Sequence, residues 1–250
     1  MAIDPDLKAL LDAWAYDPDD CVRVVTLADG REVMQVRLPL GIEQYEIDGR
    51  PDGLRPHGAE SALDYHLGRS KNAGDSAFEL SPDDCVELFN EGVLYYYRYL
   101  HLFQINDWRR TLRDTDRNLA LFDFVHRHAN RYEDKNYLEQ WRPYVLRINA
   151  ISAAMIELAD NCHEKALLIV KNAADKIEAL PEIDEDTFKF ERQRSLDALR
   201  DLADQVEKAV PQTELEKLEH QLHDAVSAEH YEQAAQLRDQ IRRLQDGKKS

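Results

Sequence analysis

From Cys21 to Leu27 apolar, mostly β-branched residues alternate with polar ones, and after Ala28-Asp29-Gly30-Arg31 the alternation resumes from Glu32 to Leu38. Period-two alternation marks strands with one buried face, and Asp-Gly between two such runs marks a hairpin. A third run, Ile42 to Ile47, completes a small antiparallel meander. Three strands are marginal alone, so their apolar face must rest on helices. A short helix is predicted ahead of them, Leu7 to Trp14, and another after them, Glu60 to Leu67, with Gly68 to Gly74 as a flexible joint.

Beyond residue 80 the period lengthens to that of a helix. Ser81-Pro82-Asp83-Asp84 combines a capping hydroxyl, a proline for the first helical position and acids for the first turn. Helices are predicted over 82–104, 107–129, 134–160, 163–180, 185–209, 213–226 and 229–245. The fold class is therefore mainly α, with a small N-terminal antiparallel β meander, a body of helical hairpins and a C-terminal antiparallel helical hairpin. The segments are 1–58 for the meander and its following loop, 81–181 for the body, 182–211 for a linking helix and 212–246 for the last hairpin.

Leu94-Tyr95-Tyr96-Tyr97-Arg98-Tyr99-Leu100-His101-Leu102-Phe103 places aromatics on every side of its helix. Such a helix is covered on more than one side, as in stacked hairpins. Ile105-Asn106-Asp107-Trp108 and Asp160-Asn161-Cys162-His163 repeat one turn-then-helix pattern, and the region resembles a degenerate TPR-like (tetratricopeptide) helical repeat.

In the last two helices Leu215, Leu218, Leu222, Ala225 and Val226 form one stripe, and Tyr231, Ala234, Ala235, Arg238, Ile241 and Leu244 form another. Ala234 and Ala235 are small enough to let two helix axes approach closely. A hairpin of about 30 residues buries too little apolar area to stand unsupported, so part of its seam is expected to meet another helix pair.

Composition changes this picture little, but charge does. With 43 % apolar and 32 % charged residues the chain is a folded, helix-rich protein. Its net charge of −17 disfavours nucleic acid over the whole surface. Locally the sign reverses: seven arginines face four aspartates between Val93 and Tyr132. Arg98, Arg109, Arg110, Arg113 and Arg117, beside the tyrosines, are the candidate nucleic-acid contacts of an alternative reading.

Candidate chemistry is sparse. Cys21, Cys85 and Cys162 are far apart and read as reduced thiols rather than a disulfide framework or a zinc cluster. His126 and His128 diverge on their helix, while His220, His223 and His230 read as solvated or partner-facing rather than as a metal site. Glu182, Asp184, Glu185 and Asp186 are explained as acids at a helix start. The loop Asp48 to Gly58, rich in Gly, Pro and Arg, fits no phosphate-binding spacing and reads as a rigid connector, with anion binding as the open alternative. With no P-loop, GxSxG or HExxH, the expectation is a protein without catalytic residues, cofactor or metal. No run approaches the about 18 apolar residues of a membrane span and the first residues are acidic, so a cytoplasmic location is expected.

Tyr231-Glu232-Gln233-Ala234-Ala235-Gln236-Leu237-Arg238-Asp239-Gln240-Ile241-Arg242-Arg243-Leu244, preceded by the Leu215–Ala225 stripe, resembles the UVR motif shared by the UvrB and UvrC excision-repair proteins. The resemblance covers about 212–246. Similar motifs occur in Clp-type ATPases and in activators of protein-arginine kinases, whose CxxC zinc pairs this chain lacks. The resemblance implies recruitment: docking on a partner with a UVR-like hairpin, or on a second copy, through Leu218, Leu222, Tyr231, Ala234, Ala235, Leu237, Arg238, Ile241 and Leu244. The segment from Met34 to Gly58 also resembles part of bacterial proteins that end in the same motif. The functional expectation is a non-enzymatic adaptor in DNA-repair or Clp-type stress and proteolysis pathways.

Overall fold

The structure, a computed structural model, describes residues 6–74, 77–209, 218, 222–223, 225–227 and 230–247. The chain divides into two units, Met1–Asp204 and Gln205–Ser250. In the first, a short helix α1 (Lys8–Ala13) precedes strands β1 (Val22–Thr26), β2 (Glu32–Leu38) and β3 (Gly41–Glu46), an antiparallel sheet in that order. Val24 pairs with Met34, and Met34 with Tyr45. The β1–β2 turn closes on Gly30 at φ 88°, a backbone region that suits glycine. One face of the sheet is apolar: Val22, Met34, Val36 and Ile47 pack with Leu102. That residue lies on helix α3 (Pro82–Gln104), the support a three-stranded sheet requires.

Helix α2 (Ala62–Ala73) opens with Ser61, whose hydroxyl accepts from Asp64 N–H at 3.1 Å. The expected joint at Gly68 is instead helix, which ends at Gly74. A buried face carrying Leu63, His66 and Ser70 continues past the glycine and outweighs its helix-weakening effect. At the start of α3 the Ser81 hydroxyl accepts from Asp84 N–H while the Asp84 carboxylate accepts from Ser81 N–H at 2.9 Å, a reciprocal cap.

Helices α4 (Trp108–His128), α5 (Tyr132–Glu139), α6 (Arg142–Ala159) and α7 (His163–Glu178) follow, with α3 against α4, α4 against α6 and α6 against α7. The single helix expected over 134–160 is two, because the chain breaks at Gln140–Trp141. Pro143, which has no N–H to give a preceding turn, sits at the beginning of α6. The two similar stretches do form similar turns. Asn106 and Asn161 both take positive φ, 60° and 58°. The following N–H reaches back to Leu102 O in one and Glu157 O in the other, at 2.9 and 2.8 Å. Each helix thus ends in a left-handed asparagine cap that reverses the chain.

The main core gathers Leu63, Phe78, Leu88, Leu121, Phe124 and Val145 from α2 to α6. Helix α8 (Asp186–Ala209) buries Phe188, Leu196 and Leu199 and starts in the first unit. In the second unit the described residues from Leu218 to Ser227 are helical, and helix α9 spans Tyr231–Gly247. Most of the helix expected over 213–226, including Leu215 and His220, lies outside the described residues.

Candidate functional site

The terminal hairpin turns at His230, whose N–H donates to Ala225 O at 2.8 Å and whose carbonyl accepts from Ala234 N–H at 3.0 Å. Its own core is a cluster of Leu218, Ala225, Ala234, Leu237 and Ile241, with Leu222 half-buried against them. These are the positions an α-helix repeats every three to four residues, so they point one way. The expected docking face therefore divides. Leu218, Ala234, Leu237 and Ile241 are covered inside the hairpin and are not free to dock. Tyr231, 69 % exposed, and Ala235 and Arg238 are the part that remains outward, at i, i+4 and i+7. Arg242, also exposed, extends this stripe by one more turn. Val226 on the preceding helix is 51 % exposed. The Leu244 side chain lies outside the described residues.

The outward stripe has a chemistry of its own. A tyrosine and two arginines flank one alanine, a combination with aromatic and bidentate donor contacts around a point of close approach. Among the described residues no group of three or more His, Cys, Asp or Glu side chains is placed to hold a metal.

The five arginines of the nucleic-acid alternative are placed differently. Arg98 is 1 % exposed and grips Asp114, equally buried, through Nε at 2.6 Å and Nη2 at 2.8 Å. Its Nη1 donates to Glu46 O and Gly49 O at 2.8 and 2.9 Å. Arg113 joins Asp114, Asp48 and Ile47 O. Arg117 pairs with the fully buried Glu91 and lies over the Tyr95 ring at 3.8 Å. Arg110 bridges Asp107 and Glu32. Only Arg109 of the five makes no ion pair among the described residues and is exposed. Four guanidiniums already hold carboxylates, which leaves little positive field for phosphates.

These pairs also explain the loop Asp48 to Gly58. Arg50 is held by Asp52 at 3.0 Å and Glu91 at 3.2 Å. Glu91 in turn accepts from Ala62 N–H and Leu63 N–H at 2.6 and 3.0 Å, so one carboxylate caps α2 and anchors the loop. Arg55 pairs with Glu60. The loop is a connector locked by buried charge, with its arginines occupied.

A cluster that sequence reading passed over lies where that loop ends. His57, in left-handed backbone at φ 53°, stacks on Tyr65 with ring centres 4.1 Å apart, and its Nε2 meets Glu87 at 3.0 Å. The buried His66 Nε2 meets the other Glu87 oxygen at 3.1 Å. Arg69 Nη1 contacts His66 Nδ1 and Asp84 Oδ1, both at 3.0 Å. A guanidinium can only donate, so His66 Nδ1 accepts and the ring proton sits on Nε2, facing Glu87. The cluster ties loop, α2 and α3 together by hydrogen bonds. His57 between Pro56 and Gly58 was the one visible signal. Its partner Glu87 is thirty residues away and unmarked in the sequence.

No described helix is long and apolar enough to cross a membrane. Neither the curated proteins nor the solved structures yield a match to this chain. Residues 212–247, the segment that contains the hairpin and its outward stripe, match the UVR family, described as the UvrB/uvrC motif.

Proposed function

We propose that this protein is a non-enzymatic adaptor that captures a partner through the outward stripe of its UVR hairpin, the partner presenting a UVR-like hairpin of its own. The observation that carries this reading is the division of α9: its inner stripe completes a small core, and Tyr231, Ala235 and Arg238 are left outside with Arg242. A small residue between an aromatic and arginines lets a second helix come close and gives it something to grip. The partner belongs to a DNA-repair or Clp-type proteolysis pathway of a bacterial cytoplasm.

The test is capture by the intact chain against Ala235→Glu. Glutamate is a good helix former, so the helix persists, while a charged side chain now fills the point of approach. Capture should fall sharply with unchanged helicity by circular dichroism; undiminished capture would overturn the reading. If sedimentation shows that the intact chain pairs with itself and Ala235→Glu does not, the partner is a second copy.

A further inference from the structure

Within the first unit, the helical body contains a recess of about 300 Å³ between α3, α4, α5 and α6. Its walls are aromatic. Tyr96 and Tyr144 line it, with ring centres 6.1 Å apart, as do Phe89 and Tyr137, stacked at 4.6 Å. Around the mouth Val93, Tyr97, Tyr137 and Trp141 are exposed, an apolar rim where a solvated helical surface would be polar. Among the described residues no Asp, Glu, Lys or Arg lines it. Asn118, at its floor, already donates to Gly92 O at 3.0 Å.

Gly92 lines the same recess, in the middle of the 23-residue helix α3. A glycine there weakens a helix relative to alanine and needs a reason. Its backbone is not in the left-handed region. Close helix packing does not require it either. A Cβ at this position would meet one heavy atom at ordinary contact distance, Leu121 Cδ2 at 3.9 Å, and nothing else within 4 Å. The space the missing side chain leaves belongs to the recess.

We infer that this recess is a binding site for an uncharged planar aromatic molecule of one or two fused rings. Its volume is at the small end for ligand pockets, which suits a single flat ring system. Each of the four helices contributes at least one ring to its lining, and such rings can give a planar molecule offset and edge-on partners. Burial pushes the Tyr144 hydroxyl well above its usual range, so it remains a neutral phenol beside the ligand. Gly92 keeps the floor open. This site is separate from the hairpin function and stands or falls independently of it.

The experiment is fluorine NMR of 5-fluoroindole titrated with the full-length chain, repeated with Gly92→Ala and with Val93→Trp, which closes the exposed rim. Saturable broadening is expected with the unaltered chain. Gly92→Ala should weaken it about tenfold or more, as one methyl group in a fitted pocket does. Its melting temperature should stay level or rise, because alanine favours the helix. Val93→Trp should abolish the effect. Non-saturable broadening with the unaltered chain, equal affinity in all three proteins, or displacement of the probe by tetramethylammonium, the mark of a cation cage, would each overturn the proposal.

Discussion

The helical body and the terminal hairpin dispose of their charges in opposite ways. In the body, arginines turn inward: Arg98 and Asp114 are both 1 % exposed, and Arg50 and Arg117 converge on the buried Glu91. In the hairpin the described charges face solvent, and the core is a handful of aliphatic side chains. Size accounts for the difference. A large unit can surround an ion pair with enough hydrogen bonds to offset its desolvation, whereas two helices have no interior in which to do so. What the hairpin cannot cover, Tyr231 above all, it presents outward. The body is self-contained by charge, and the hairpin is open by size.

The comparison is most directly broken at Arg98. Arg98→Met leaves Asp114 buried with its main partner gone and frees the Glu46 carbonyl at the end of β3 and the Gly49 carbonyl of the connector loop. It should cost roughly 3–5 kcal/mol, read as a fall in the denaturant midpoint. Arg109→Ala, at the exposed member of the same arginine group, should stay within about 0.5 kcal/mol of the unaltered chain. The double change Arg98→Met with Asp114→Leu should recover part of the loss, since no uncompensated charge then remains. If Arg98→Met and Arg109→Ala cost the same, the inward ion pair is not what holds the loop.

In the hairpin the corresponding change is Leu237→Ala. Removing one of so few buried side chains should cost about 2–5 kcal/mol. That is enough to melt a unit this small, with loss of helicity and of partner capture together. The contrast with Ala235→Glu sharpens the division of α9: one variant loses capture by unfolding and the other while still folded. If Leu237→Ala remains fully helical, the inner stripe is not the core of the hairpin.

How far the sequence foretold this arrangement follows from the range of each interaction. Ser81-Pro82-Asp83-Asp84 predicts the start of α3 to the residue, because caps act within one turn. The Asp29-Gly30 turn and strand alternation predict the meander for the same reason. Helical periodicity marks the apolar side of α9 but cannot say which edge is inward, since Ala234 and Ala235 are equally small. Only the partner helix decides. The surplus of arginines between Val93 and Tyr132 reads as a basic patch, but Asp107 and Asp114 within the stretch hold Arg98, Arg110 and Arg113, and the carboxylates that complete the pairing come from outside it: Glu91, 26 residues from Arg117, and Glu32, 78 from Arg110. The break before α6 is legible in Pro143, although the apolar period runs on across it and by itself predicts one helix.

Acid should separate the two regions further. Burial pushes His101 below its ordinary value of 6.5, against smaller opposing effects of Gln104 and Glu43. The folded body therefore holds fewer protons than the unfolded chain once the pH drops below about 6.5. Its stability is complete above that pH and declines as the pH falls through the depressed folded value. His223 and His230 of the hairpin are exposed. Melting curves between pH 7.5 and 5.5 should show the body's transition falling, and His101→Gln should flatten that fall. An unchanged slope in His101→Gln would remove His101 as the cause.

The mildest expectation concerns thiol reactivity, and it probes the interior without altering it. Cys85 is fully buried, and burial pushes its thiol up to about 11, with Asp134 and Asp84 adding to the rise and Arg131 opposing it. Only about a thousandth of it is thiolate at pH 8, and the thiolate is the reactive form. Cys21 and Cys162 are half-exposed. Iodoacetamide at pH 8 should therefore alkylate Cys21 and Cys162 in the native chain and Cys85 only after denaturation, as peptide mass spectrometry would show. Because Cys85 sits one turn into α3, on the core side, its modification rate also reports how often that helix end opens. Labelling of Cys85 at the pace of the other two would mean that the reciprocal Ser81–Asp84 cap does not keep the body shut, and the contrast between a closed body and an open hairpin would fail at its strongest point.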